Sequence, residues 1–463
     1  MGKTIVVIGS GVGGSAVAAL LAKAGHSVTL LEAHSFAGGR CSSFEKDGFC
    51  YDFGVHMFGR GSSGPLGEVN RRLDGRLKWQ TRDPSCRVMG KVEFDFPLDI
   101  SPLSRQIYLA RKLGVKVKNL WGAFRLFRAL VSGRDHASYD NQLLHDYVSR
   151  FTNDENIHLF MNLVAQLFFA LSYQEASAGE FIWCFSRLFQ DANGGYPEGG
   201  SRAIPGSFLE RLAHFGGSIK YNEPVTRIIV TDDRVQGVET AGDTYPADLV
   251  IANCGLPLAI QLAGAEHFPD DYVRATEKHV YTNPYVTIKY ALNAPVIPYP
   301  MVLYMPDIPA ADLYRYIDEK RAPDDPYIFM PVPSNLDPSL APAGKQLVVA
   351  GTPAPPGASR ELCQAVLEKV DNRVRKLFPG IDRALIWNLR STADDIAGIT
   401  KKDFADTIGL GQVPGQVGAN RPDCQTPVNG LWLVGADAGA RGIGTEIAAG
   451  SALALADRLM AEV

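Results

Sequence analysis

The chain opens on an uncharged stretch, residues 4–22, reading TIVVIGSGVGGSAVAALLA between Lys3 and Lys23. Its length alone would suit a membrane span or a signal peptide, but neither needs glycines at fixed spacing. Here a β-branched run, residues 4–8, breaks at Gly9-Ser10-Gly11-Val12-Gly13-Gly14. The pattern predicts a helix over residues 13–24 and a second strand over 27–31 that ends on Glu32. Strand, glycine turn, helix, strand and acid make a nucleotide-binding βαβ unit. Gly9 permits the tight turn and Gly11 lets a pyrophosphate approach the backbone. Gly14, beside Gly13, lets the helix pack closely on the strand. The helix N-terminus offers free N–H groups and partial positive charge to phosphates. Glu32 can accept both hydroxyls of a ribose, and its charge repels a 2′-phosphate. The opening stretch is the start of a nucleotide-binding enzyme.

At 463 residues the chain exceeds one ordinary core, so two domains are expected. A hydrophobic content of 46% with 21% charged residues is that of a folded soluble protein, and a net charge of −4 argues against a nucleic-acid partner. The seven cysteines are odd in number and scattered, with no CxxC pair. That favours reduced thiols in the cytoplasm over a disulfide framework or a zinc site, so no metal is expected. A second uncharged run, residues 249–265, is interrupted by Asn253, Gly255 and Pro257 and is expected to be a strand plus a turn.

Beyond Glu32 come FAGGRCSSF (36–44) and GFCYDFGVHMFGRG (48–61). A Gly-Gly-Arg placed just past the acid has no use in an NAD dehydrogenase but suits FAD. Gly39 lets the chain pass close to the cofactor, and Arg40 can pair bidentately with its pyrophosphate. Residues 430–463 predict a strand, a glycine-rich turn from Gly435 and a helix beginning near Gly444 and Thr445. Asp437 is placed to bond ribitol or a pyrophosphate-bridging water. The helix can aim its N–H groups at the flavin N1–C2=O edge, where negative charge gathers on reduction. Between them, residues 225–238 alternate as a hairpin around an Asp-Asp turn, followed by a strand over 249–252.

Four elements in this order resemble the FAD-dependent amine oxidase and phytoene desaturase superfamily: GxGxxG with its acid, GGR, the block over 196–253, and Gly435-Ala436-Asp437 with Gly442-Ile443-Gly444. The last block ends Ala449-Gly450-Ser451 where that family usually has Ser-Gly. The resemblance implies an α/β fold in which a discontinuous Rossmann-like FAD-binding domain (1–90, 196–260 and 395–463) carries an inserted α+β substrate domain (91–195 and 261–394). It also implies that the backbone at Val225 touches the adenine.

Amine oxidases of the superfamily place a lysine near the flavin at the start of a substrate-domain strand. The matching stretch here, YVTIKYAL (285–292), has Tyr285 at that position and Lys289 four residues on. DFGVHMFGRG (52–61) instead resembles an element of phytoene desaturases and their retinol-saturase relatives that runs beside the isoalloxazine. The resemblance makes His56 a candidate to contact the reacting carbon and Tyr285, whose ring would wall the cavity, a second catalytic candidate; the alternative for His56 is a structural histidine. The expected activity is FAD-dependent desaturation, saturation or isomerisation of carbon–carbon bonds in an apolar, isoprenoid-like substrate. An amine or amino-acid oxidase and a non-catalytic flavin-binding protein are the alternatives.

Between Asp99 and Asp135 there is no acid, while eight residues from Arg105 to Arg134 are basic. At 100° per residue Leu120, Ala123, Phe124, Phe127, Leu130 and Val131 share a face, with Lys118, Arg125 and Arg128 opposite and Trp121 at the boundary. A basic amphipathic helix of this kind suits peripheral contact, through 101–134, with an anionic membrane on its cytoplasmic side. The alternative is a helix docked on its own core with a solvated basic face.

Overall fold

The computed structural model describes residues 2–54, 58–191, 194–402, 404–439 and 441–461. Five parallel strands, in the order Leu431–Leu433, Leu249–Ala252, Thr4–Ile8, Ser27–Leu31 and Ser218–Lys220, form one sheet. The central strand pairs Ile5 with Leu249 on one side and Thr4 with Ser27 on the other. A parallel sheet must be covered on both faces, and the alternation along residues 5–8 shows how. Ile5 and Val7 pack towards helices Val12–Lys23, Ala203–His214 and Thr445–Ala461. Val6 and Ile8 pack towards helix Leu256–Ala263 and the hairpin Val225–Thr231/Arg234–Thr240. The hairpin turn places Asp232 and Asp233 at φ +49° and +55°, the left-handed conformation a two-residue turn requires.

The glycine-loop helix is apolar all round because it is buried all round, from Val12 to Ala22. The second uncharged run differs from its expectation. Pro257 sits in the first turn of helix Leu256–Ala263, where its missing N–H costs nothing, so the run is strand, turn and helix. Among the described residues no helix is long and apolar enough to cross a membrane.

A seven-stranded sheet runs Leu385–Ser391, Tyr285–Leu292, Gln346–Pro353, Ile328–Pro331, Met301–Met305, Cys86–Gly90, Phe94–Phe96. It is antiparallel except where Met301–Met305 and Cys86–Gly90 run together. Residues 86–90 were expected on the cofactor side of the boundary; their ladder to Val302–Met305 puts them in this sheet. Helix Arg360–Leu377 covers one face, burying Val366, Val370 and Val374 against Ile288 and Tyr290. The other side is capped by the helices between Leu103 and Asp191.

Helix Leu120–Ser132 is rotated from the expected face. Its buried residues are Leu126 and Leu130, while Leu120 is 39% and Trp121 68% exposed. Arg128 lies over Phe124, and Arg125 over Phe151, which holds both basic side chains against aromatic faces.

Candidate cofactor and active site

One cavity of about 460 Å³ runs from the glycine turn to the seven-stranded sheet. Gly9, Gly11, Gly13, Glu32, Gly39, Arg40, Val225, Gly435, Asp437, Gly444 and Thr445 line it, as does Tyr285. Gly14 lies behind that wall. A Cβ there would stand 2.0 Å from the Gly9 carbonyl oxygen, so its absence is what lets helix and strand meet. Gly9 itself turns with φ +92°.

Asn253 explains why Gly11, Gly13 and Gly435 are bare. Its amide donates to the Gly9 carbonyl at 3.3 Å and would be struck by a Cβ at Gly11, Gly13 or Gly435. This asparagine closes a neighbouring parallel strand, and nothing in its local sequence marked it. Helix Val12–Lys23 has no side-chain cap and no acid in its first turn, so its N-terminal N–H groups face the cavity as a cradle for an anion. Glu32 is buried and fixed. One carboxylate oxygen accepts from the Ser10 N–H at 2.9 Å and hydroxyl at 2.5 Å, the other from the His34 N–H at 2.9 Å.

Arg40 does not stand open as the sequence suggested: its guanidinium donates to the carboxylate and backbone carbonyl of Asp406. Asp406 also faces Lys402 at 3.4 Å, and Lys402 bonds Asp437 at 3.1 Å. Asp437 further accepts the N–H groups of Leu410 and Leu256. Burial alone would raise the Asp437 pKa; Lys402 and then Arg40 outweigh it and hold the carboxyl below its usual range. Two cations and two carboxylates thus form a buried network under the middle of the cavity. Lys402 and Asp406 lie four residues apart but were missed, because what makes them part of the cavity is their contact with Asp437 and Arg40, 35 and 366 residues away.

At the far end the walls are Phe53, Leu167, Ala170, Tyr285, Phe329 and Ile408. The Tyr285 ring packs over Gly351, where a Cβ would come within 2.8 Å of it. Burial pushes its phenol well above the usual range, so it stays protonated at any physiological pH. His56 lies outside the described residues.

Capless glycine turn, fixed acid and buried ionic network fit a dinucleotide lying along the cavity. Residues 13–460 match the family described as flavin containing amine oxidoreductase. The chain belongs to that family. It is a flavoenzyme, an FAD-dependent oxidoreductase. It is 28% identical over 477 residues to a zeta-carotene-forming phytoene desaturase of Myxococcus xanthus, covering 94% of this chain and 90% of that one. It is 26% identical over 483 residues to prolycopene isomerase 2, chloroplastic, of an Oncidium hybrid cultivar, covering 93% and 79%. An oxidoreductase structure from Methanosarcina mazei superposes with a TM-score of 0.75 at 20% identity, covering 98% of this chain and all of that one, a likeness of fold.

Proposed function

We propose that this family member desaturates, saturates or isomerises carbon–carbon bonds of an apolar, isoprenoid-like substrate. The observation that carries the reading is the far end of the cavity. Six of its walls are apolar or aromatic, Gln166, Thr287 and Ser391 beside them carry no charge, and the acids lining the cavity, Glu32, Glu223 and Asp437, all belong to the nucleotide side. An ammonium would find no carboxylate there, and position 285 is a neutral phenol. The desaturase and isomerase relatives, similar along nearly all of this chain, support the same chemistry.

In this reading the parallel sheet with its hairpin carries FAD, and the seven-stranded sheet with its capping helices receives the substrate. Glu32 accepts the ribose hydroxyls, the backbone at Val225 meets the adenine, and the first turn at Gly11–Gly14 receives the pyrophosphate beside Gly39 and Arg40. Asp437 serves the ribitol, and the helix opening at Gly444 and Thr445 faces the flavin N1–C2=O edge. The flavin supplies a two-electron acceptor or donor. The protein's share is to position the polyene, exclude water and handle the accompanying proton.

The segment 101–134 is the proposed membrane contact. Leu103, Ile107, Val117, Leu120 and Trp121 are half of the large apolar side chains that stand exposed among the described residues. They are interleaved with Arg105, Arg111, Lys112, Lys116 and Lys118. Buried Leu109 and Leu113 of the same segment belong to the apolar cluster that also holds the cavity-lining Tyr285 and Phe329, which supports a patch on the substrate side of the cavity. A lipid substrate could pass from bilayer to cavity there, at the cytoplasmic face that seven free thiols suit.

The test is anaerobic titration of the flavin absorbance. Phytoene in liposomes should bleach the oxidised enzyme, or all-trans-retinol should reoxidise the reduced one, while putrescine and benzylamine leave it unchanged. Bleaching by an amine and by neither lipid would replace this reading with an amine oxidase.

A further inference from the structure

Lys289 sits in the middle of strand Tyr285–Leu292, every residue of which is buried, and is itself 1% exposed. The even-numbered neighbours Ile288 and Tyr290 face helix Arg360–Leu377, so Lys289 points to the opposite face, towards the cavity. Its ammonium nitrogen lies 2.7 Å from Thr287 Oγ1, 2.6 Å from Ser391 Oγ and 5.4 Å from the centre of the Phe53 ring. All three of those residues line the cavity. Lys289 itself does not line the cavity; Ser391 does, is only partly buried, and carries the hydroxyl that joins the lysine to the cavity wall.

A buried lysine ordinarily requires a carboxylate in contact. Among the described residues Lys289 has none. The acids that face it at longer range are Asp395, held by the N–H and hydroxyl of Thr392, and Asp52, held by Ser43, Ser201 and Tyr196. Burial therefore dominates and lowers the Lys289 pKa to about 7, against the weaker opposing pull of Asp395 and Asp52. Pinning the two strands together does not need the lysine. Thr287 and Lys289 already pair with Ser391 and Leu389 in the backbone ladder. A methionine would fill the same space without the desolvation penalty.

We propose that Lys289 is the proton reservoir of the active site, a positioning residue that exchanges a proton with the substrate through the Ser391 hydroxyl. This rests on the carbon–carbon redox reading. In the desaturating direction two C–H bonds break. One hydrogen leaves with its electron pair to the flavin, the oxidant. The adjacent carbon loses the other as a proton to Ser391 Oγ, whose own proton passes to neutral Lys289, and the electrons left behind become the new π bond. In the saturating direction ammonium Lys289 returns the proton through Ser391 while the reduced flavin supplies the hydrogen with its electron pair. A reservoir half-protonated near neutral pH serves either direction.

The test uses the FAD-loaded full chain. Without substrate, protein labelled with ¹³C at lysine Cε should show one resonance that titrates near pH 7 and is missing in Lys289→Met. In stopped flow, phytoene-driven bleaching of the wild type should rise through an inflection near pH 7. Lys289→Met should lose that inflection and slow by roughly a hundredfold, with FAD content unchanged. Ser391→Ala should slow comparably while the lysine resonance still titrates. A Lys289 resonance that stays cationic through pH 9, or an inflection surviving in Lys289→Met, overturns the proposal. A wild-type flavin unmoved by phytoene and by all-trans-retinol sinks the carbon–carbon reading, and the relay with it, even if Lys289 titrates near 7.

Discussion

The two ends of the cavity are built by different means. At the nucleotide end the shape is set by backbone: bare glycines, uncapped N–H groups and one asparagine laid across them. At the apolar end it is set by side chains such as Phe53, Tyr285 and Phe329, delivered by separate strands and loops. Backbone can be fitted to only one shape of ligand, whereas side chains can be exchanged one at a time. The first end should therefore tolerate almost no added atom, and the second should tolerate substitutions that alter which lipid is accepted. Between them lies the ionic network of Arg40, Lys402, Asp406 and Asp437, which belongs to the intolerant half.

The largest expected effect tests that assignment. Lys402→Met removes the cation that pairs with both Asp437 and Asp406 in a buried site, leaving Arg40 on Asp406 and Arg421 at longer range from Asp437. It should lower stability by about 3–5 kcal/mol and shed FAD on dialysis, read by calorimetry and by absorbance at the flavin band. A variant that melts like the wild type would move the network to the tolerant half. Gly14→Ala comes next. Its Cβ would overlap the Gly9 carbonyl, so helix and strand must part, costing about 3 kcal/mol and most of the FAD. Full FAD retention in that variant would break the comparison outright.

The smallest expected effect on the fold lies on the substrate side of the cavity. Reversing Arg125 and Arg128 to glutamate should cost at most about 1–2 kcal/mol of stability, the contacts with Phe151 and Phe124, because both side chains are otherwise exposed. Binding to vesicles containing anionic phospholipid should nevertheless fall by roughly tenfold or more at low salt, read by co-sedimentation. Equal binding of wild type and variant, or equal partition onto neutral vesicles, would remove the electrostatic part of the membrane contact.

The same division decides what could be read in advance. Gly9 to Glu32 was legible because strand, turn, helix and acid are contiguous, and their geometry follows from local chemistry. The Asp-Asp hairpin turn was legible for the same reason. Arg40 lines the cavity, but its restraint by Asp406 spans 366 residues and leaves no local trace. Lys289 was visible as a lysine on a strand; that it meets Ser391 depends on the register between Tyr285–Leu292 and Leu385–Ser391, which no short window contains. That the strand Cys86–Gly90 joins the seven-stranded sheet was not legible, because its partner, Met301–Met305, lies far along the chain. The rotation of helix Leu120–Ser132 came from the packing around Leu126, where a helical wheel weighs every leucine alike.

The parallel sheet puts Thr4–Ile8 beside Leu249–Ala252, which in turn pairs with Leu431–Leu433, and helix Thr445–Ala461 packs on Val12–Lys23. At ~5–20 residues per second of synthesis, the glycine turn waits on the order of tens of seconds on the ribosome before its last wall arrives. During that wait the β-branched strand Thr4–Ile8 lacks part of its cover, a state prone to pairing with the wrong neighbour. Free FAD cannot rescue the nascent chain at that stage, since the helix opening at Thr445 has yet to emerge. Cofactor supply would then act on yield only once that helix has emerged, by drawing chains that carry it into the folded state in proportion to its concentration over its dissociation constant.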